Sequence, residues 1–143
     1  MAALRTFYLI RQVSNLVRTV IERGVAELDI TPAQYTLMNW LVDRDAVTSA
    51  MLARALQVSP QTMNTLISAL HKRGLVDRRN DSKNKRILLI ALTPEGRDAV
   101  AQCNRIVDGL EDDYFAQLGA TELVAFRHTL ERLMTRRARH SPS

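Results

Sequence analysis

The chain has 143 residues, 46% hydrophobic and 24% charged, with 20 lysines and arginines against 15 acids and a net charge of +5. That is one domain's length with enough apolar content for a packed core, which excludes a disordered chain, and the basic balance favours an anionic partner. The single cysteine, Cys103, excludes an intramolecular disulfide; Arg5 and Arg11 break the first apolar run and no stretch approaches the roughly 20 residues of a membrane span, so no signal peptide or membrane association is expected and the expected location is the cytoplasm.

In chain order, Met1 to Leu28 reads as a helix whose apolar face is Leu9, Val13, Leu16, Val17, Val20 and Ile21. Thr31 and Pro32 open a second helix through Val42, with Tyr35, Met38, Leu41 and Val42 facing inward. A third, capped by Thr48, runs from Ser49 to Gln57 and buries Met51, Leu52, Ala55 and Leu56. The link Val58-Ser59 is so short that the next helix must cross the third steeply, which is a helix-turn-helix. Ser59 caps that fourth helix and Pro60 suits its first position. Met63, Leu66, Ile67 and Leu70 form its buried stripe, and Gly74 stops it. Leu75 to Arg79 and Arg86 to Leu92 are strands around the polar tip NDSKNK, a hairpin wing. Thr93-Pro94-Glu95 starts a long helix to about Leu118, Gly119 ends it, and Thr121 opens a last helix to about Arg139, with Leu123, Phe126, Leu130, Leu133 and Met134 on its apolar side.

The expected fold is therefore mainly α with a small β-hairpin wing. It is a single domain over 1–143, with a winged helix-turn-helix core at 31–100 flanked by terminal helices at 1–28 and 101–139. Those helices carry more apolar surface than the small core can cover. Pairing with a second copy would bury the surplus in an isologous interface, whereas a helical cap folded on its own core would bury it internally.

The fourth helix presents Gln61, Thr65, Ser68 and Lys72 outward, with Thr62, Asn64 and His71 flanking. Amide and hydroxyl groups at a helix start can bond base edges in a major groove, while cations hold phosphate. Arg78, Arg79, Lys83, Lys85 and Arg86 place five cations in nine residues of the wing, and such a tip can enter a narrow, electronegative minor groove. Either feature alone reads equally as solvated surface; their juxtaposition points to double-stranded DNA. Arg132, Arg136, Arg137, Arg139 and His140 form a further basic cluster suited to a solvated helix end. The three histidines lack metal-ligand spacing, Glu111, Asp112 and Asp113 point to different sides of a helix, and no phosphate loop or nucleophile elbow occurs, so no enzyme, metal or cofactor is expected. A winged-helix module that binds protein remains the competing class, and would show exposed apolar residues where this chain has cations.

The stretches TPAQYTLMNWLV, LARALQVSPQTMNTLISALHKRGLVDR and LLIALTPEGRDAV carry a resemblance to the MarR family of bacterial transcriptional regulators. The likeness spans nearly the whole chain and is strongest from Thr31 to Val100. It implies a homodimer on a pseudo-palindromic operator, many members being repressors released by a small phenolic or other aromatic ligand and some by cysteine oxidation. Ser59, Gln61, Thr62, Asn64, Thr65 and Ser68 would then read or approach bases. Lys72, Arg73, Arg78, Lys83 and Lys85 would hold backbone, and Arg86 would probe the minor groove.

The family's wing often reads Asp-x-Arg, the Asp orienting the Arg. Here Asn84 replaces that carboxylate, with Asp81 a possible substitute. Thr65 stands where many members have an Arg, which implies a different operator. By position, an effector pocket would involve Arg11, Ser14, Tyr35, Met38, Asn39 and Trp40, each also suited to packing. Cys103 lies in the long fifth helix, whereas redox members of the family keep their cysteine in the first; a redox-responsive regulator through Cys103 is the remaining alternative.

Overall fold

The computed structural model describes the backbone of residues 3–138 and the side chains of residues 3–135. The basic cluster expected at Arg136, Arg137, Arg139 and His140 therefore lies outside the described side chains. The described elements run α1 (Thr6–Ala26), α2 (Pro32–Leu41), β1 (Val47–Thr48), α3 (Ser49–Leu56), α4 (Pro60–Lys72), β2 (Val76–Asn80), β3 (Leu88–Leu92), α5 (Pro94–Tyr114) and α6 (Ala120–Ala138). They fall into two compact units, Met1–Asp108 and Gly109–Ser143.

In the first unit the helix starts follow the capping residues. Thr31 and Gln34 form a reciprocal capping box, with Thr31 Oγ1 accepting from Gln34 N at 3.2 Å and Gln34 Oε1 from Thr31 N at 3.1 Å. Thr48 accepts from Met51 N and Ser59 from Thr62 N, each at 3.1 Å.

The helix ends share one device. α1, α3 and α4 each stop at a left-handed residue: Asp29 (φ 55), Gln57 (φ 57) and Gly74 (φ 72). The next residue's N–H reaches back to the last turn, Ile30 to Val25 O at 3.4 Å, Val58 to Ala53 O at 3.0 Å and Leu75 to Leu70 O at 3.0 Å. In each case that next residue is apolar and at least half-buried, the Schellman arrangement that aims the following chain into the core. Only Gly74 announces itself by composition.

The core joins Leu37, Met38 and Leu41 of α2, Leu52 of α3, Met63, Ile67 and Leu70 of α4, Ile90 of β3, and Val100 and Cys103 of α5. On α3 the buried residues are Leu52 and Ala53 with Leu56 partly covered, while Met51 and Ala55 face out, which corrects the expected stripe. Nearly every α3 position is apolar or alanine, so periodicity alone could not choose the face; the crossing with α4 does.

The sheet order is β1-β3-β2, all antiparallel. β1 is a third strand that two residues of sequence could not signal. Val76 pairs with Leu92 and Asn80 with Leu88. The second wing strand starts at Leu88 rather than Arg86, because Asp81 N–H bonds Ile87 O and Arg86 N–H bonds Asn84 Oδ1, drawing residues 86 and 87 into the turn.

The root of the wing is locked to the start of α5. Thr93 is buried, its Oγ1 donating to Gly74 O at 2.6 Å and accepting from Gly96 N at 3.0 Å, and Thr93 N–H bonds Leu75 O at 3.2 Å. A Cβ on Gly96 would lie 1.9 Å from Leu75 O. The Gly-Leu and Thr-Pro-Glu-Gly stretches are thus two halves of one joint.

In the second unit α5 ends at Tyr114, not near Leu118, and Gly119 opens α6, its carbonyl accepting from Leu123 N at 2.9 Å. Leu118 N–H bonds Phe115 O in the intervening turn, and Phe115 packs against Tyr114 edge-on and against Phe126 at 6.3 Å between ring centroids. In the single chain α6 exposes Val124, Leu130, Leu133 and Met134, and α1 in the other unit exposes Phe7, Leu9, Ile10, Val13 and Leu16.

The two glycines predict separable costs in urea denaturation. Gly74→Ala meets no neighbouring atom but must hold a positive φ, and is expected to cost about 1 kcal/mol. Gly96→Ala forces the Leu75 carbonyl aside and is expected to cost about 3 kcal/mol. Equal midpoints for the two variants would count against the joint.

Candidate nucleic-acid interface

α4 and the wing are bridged by Arg78, the middle residue of β2, which donates to Ser68 Oγ of α4 at 3.1 Å. His71 supports the same junction: its Nδ1 lies 3.1 Å from Val76 O, which can only accept, so this nitrogen carries the proton. Gln61, Thr62, Asn64, Thr65 and Lys72 are exposed and Ser68 is half-buried, so the expected polar face stands in one exposed row. Part of its hydrogen-bonding capacity is committed locally. Ser59 caps the helix and also donates to Thr62 Oγ1 at 3.0 Å, and Thr65 Oγ1 donates to Gln61 O at 3.1 Å. The side-chain amides of Gln61 and Asn64 make no hydrogen bond among the described residues and are free to accept and donate outward.

The wing tip is shaped by its amides and carboxylate. Asn80 Nδ2 donates to Lys85 O, Asp81 Oδ1 accepts from Lys83 N at 2.7 Å, and Asn84 Oδ1 accepts from Arg86 N at 3.1 Å. Asn84 and Asp81 therefore fix the backbone of the turn rather than orienting the Arg86 guanidinium, which has no partner among the described residues. Lys83, Lys85 and Arg86 are all exposed.

Arg73 is exposed, and its guanidinium donates to Asp29 O and, at 3.2 Å, to Leu28 O, the carbonyls just past α1. Two more arginines serve helix ends. Arg97 donates to Val42 O at 3.0 Å, and Arg44 donates to Trp40 O at 2.6 Å while lying 3.6 Å over the Trp40 ring. No periodicity in the sequence marks these contacts.

The expected pocket residues are dispersed in character. Arg11 and Ser14 are exposed on α1, Met38 is wholly inside the core, and Trp40 is half-buried beneath Arg44. Tyr35 donates to Asn104 Oδ1 of α5, and Asn104 Nδ2 donates to Asn39 Oδ1 at 3.3 Å. Asn104, which sequence reasoning missed, is thus the link between two of the named residues. A groove of about 490 Å³ beside Arg18, Glu22, Asp29 and Pro32, and one of about 370 Å³ beside Phe115, Phe126, Arg127 and Leu130, are lined by other side chains.

Large exposed apolar residues occur on α1, α3 and α6, and none on α4 or the wing among the described residues. No group of His, Cys, Asp and Glu side chains suited to a metal occurs among them, and no described helix is long and apolar enough to cross a membrane.

A capped polar helix following a steep helix corner, braced to a basic hairpin, defines a winged helix-turn-helix protein. The MarR family model matches residues 28–87 of this chain. It is similar to the HTH-type transcriptional repressor Rv2887 of Mycobacterium tuberculosis, at 29% identity over 126 residues that cover 88% of this chain and 91% of the relative. The solved complex of Staphylococcus aureus MepR with DNA superposes with a TM-score of 0.81 at 25% identity, covering 93% of this chain and 98% of that one. The PcaV transcriptional regulator of Streptomyces coelicolor, solved with its natural ligand, shares the fold with a TM-score of 0.79 at 24% identity, covering 94% and 98%.

Cys103 is fully buried, and burial pushes its thiol above the ordinary range, a backbone hydrogen bond offsetting part of the rise. The folded chain holds this proton more tightly than the unfolded one. Its contribution to stability is complete below the ordinary thiol pKa and is lost as pH climbs through the raised value. An aromatic disulfide reagent at pH 8 is expected to label the native chain roughly a hundredfold or more slowly than the denatured one. Comparable rates would restore Cys103 as a sensor.

Proposed function

We propose that this chain is a homodimeric, sequence-specific DNA-binding regulator of transcription, acting as a repressor on a pseudo-palindromic operator. The observation that carries the reading is the Arg78–Ser68 bond, which holds the exposed polar face of α4 beside a wing whose Arg86 guanidinium is unengaged. In this reading Gln61 and Asn64 bond base edges in the major groove. Thr62, Thr65 and Ser68 contribute apolar or shared-hydroxyl contacts, and Ser59 chiefly keeps the helix start in place. Lys72, Arg78, Lys83 and Lys85 neutralise phosphate, and Arg86 enters the minor groove from a turn held by Asn84. The exposed apolar faces of α1 and α6 support pairing of two copies, which places two α4 helices on half-sites about one helical turn apart.

Repression is supported by the likeness to Rv2887. Release by a small aromatic acid or similar compound is supported by the family and by the shared fold of ligand-bound PcaV, with the Tyr35–Asn104–Asn39 chain between α2 and α5 as the element such a ligand would disturb. A panel of such acids is expected to shift the melting temperature and weaken DNA binding together; a panel that moves neither counts against this part.

The test is fluorescence anisotropy of the protein with the DNA upstream of its own coding sequence and with a scrambled duplex, across a salt series. Two chains per duplex and selective, salt-steep binding are expected; equal weak binding to both would refute sequence-specific regulation at this DNA. Arg86→Ala is expected to weaken binding by about 1–3 kcal/mol and lower the salt slope by about one unit, and unchanged values would remove the wing from the mechanism.

A further inference from the structure

We infer that Arg73 is a positioning residue that fixes the direction of α4 against the corner between α1 and α2, and thereby sets which half-site spacing the dimer accepts. The inference rests on the DNA-binding reading above and deepens it.

Arg73 is the C-cap of α4, and its two terminal nitrogens bond neighbouring carbonyls, Leu28 O and Asp29 O, 45 and 44 residues back in the chain. Leu28 and Asp29 lie just past Glu27, the C-cap of α1, and their two carbonyls are open to a donor from outside the helix. A planar guanidinium can fork across two such oxygens, whereas an ammonium bonds as a single point. Asp29 and Gly74 are the left-handed residues that close α1 and α4, and the residues following them, Ile30 and Leu75, are buried. Arg73 therefore joins two closed helix ends rather than two loops. α1 bears one of the exposed apolar faces that pairing would cover. The angle between α1 and α4 then fixes how far apart the two α4 helices lie in the dimer, and half-site spacing follows from that distance. A phosphate contact would contribute charge alone and would leave spacing untouched.

The experiment compares the wild type with R73K and R73Q on a duplex enriched from a random-sequence pool by the wild-type protein, and on versions with the centre lengthened or shortened by one base pair, each across a salt series. Both variants are expected to bind the parent duplex about tenfold more weakly with an unchanged salt slope, and to lose less affinity than the wild type when the spacing changes. If R73K keeps full affinity while R73Q alone lowers the slope by about one unit, Arg73 is a phosphate contact and the inference is overturned. A spacing penalty identical to the wild type's overturns it as well, since loss of stability alone would not alter spacing preference.

Amide exchange in the free protein separates this inference from the DNA reading. Exchange at Asp29 and Ile30 is expected to quicken in both variants while the α3 amides are unchanged. If the wild type enriches no duplex, the DNA reading fails on its own, and unchanged exchange at Asp29 and Ile30 overturns the strut.

Discussion

The Leu75 carbonyl is the point on which the presentation of α4 and the wing depends. It accepts from Thr93 N–H across the root of the hairpin, and Gly96 passes so close that no side chain fits between them. Thr93 binds the carbonyl of Gly74 on one side and the amide of Gly96 on the other. One buried threonine thus ties the end of α4, the base of both long strands and the first turn of α5. An unpaired backbone group here would cost as much as a lost buried hydrogen bond, so the four segments hold one geometry. The polar face of α4 and the cationic hairpin thus spring from one shared root.

A second regularity is the way charge is divided. Four arginines serve the internal frame: Arg44 and Arg97 donate to carbonyls at the end of α2, Arg73 donates to carbonyls just past α1, and Arg78 braces the wing. With α2 met by Arg97 at its end and Arg73 holding the corner before its start, the helix sits between α4 and α5. The Tyr35–Asn104–Asn39 chain adds a polar contact on the α5 side. Polar groups of this kind are strong when fully satisfied and costly when half-made, and among the described residues no buried side-chain nitrogen or oxygen lacks a partner.

Much of this was legible before the fold was known, where a residue type has one physical use. Thr31-Pro32, Thr48, Ser59-Pro60 and Thr93-Pro94 all open helices in the structure, because a short side-chain oxygen before a fixed φ satisfies the orphan amides of the first turn. Met63, Ile67 and Leu70 are buried as their spacing required, and the outward polar row of α4 followed directly. What stayed hidden had no local signature. Asp29 and Gln57 adopt left-handed backbone without being glycine, because the burial of Ile30 and the packing of Val58 favour it. β1 is two residues long and exists only through its pairing with β3. α5 stops at Tyr114 where an aromatic cluster forms, while the nearest sequence punctuation is Gly119. Arg73 looked like one more surface cation because its acceptors lie more than forty residues away.

The chain contains three lysines, Lys72, Lys83 and Lys85, and all three stand at the end of α4 and on the wing tip; every other basic side chain apart from histidine is an arginine. An ammonium keeps its water and cannot fork two carbonyls, so it is poorly suited to the internal joints and well suited to a wet surface. Amine-directed chemistry therefore falls, the N-terminus aside, on one small surface. Acetylation would strip up to three positive charges from that face while leaving each arginine joint chemically intact. The lysines of that surface can thus be addressed by a reagent that leaves the arginine joints of the frame untouched.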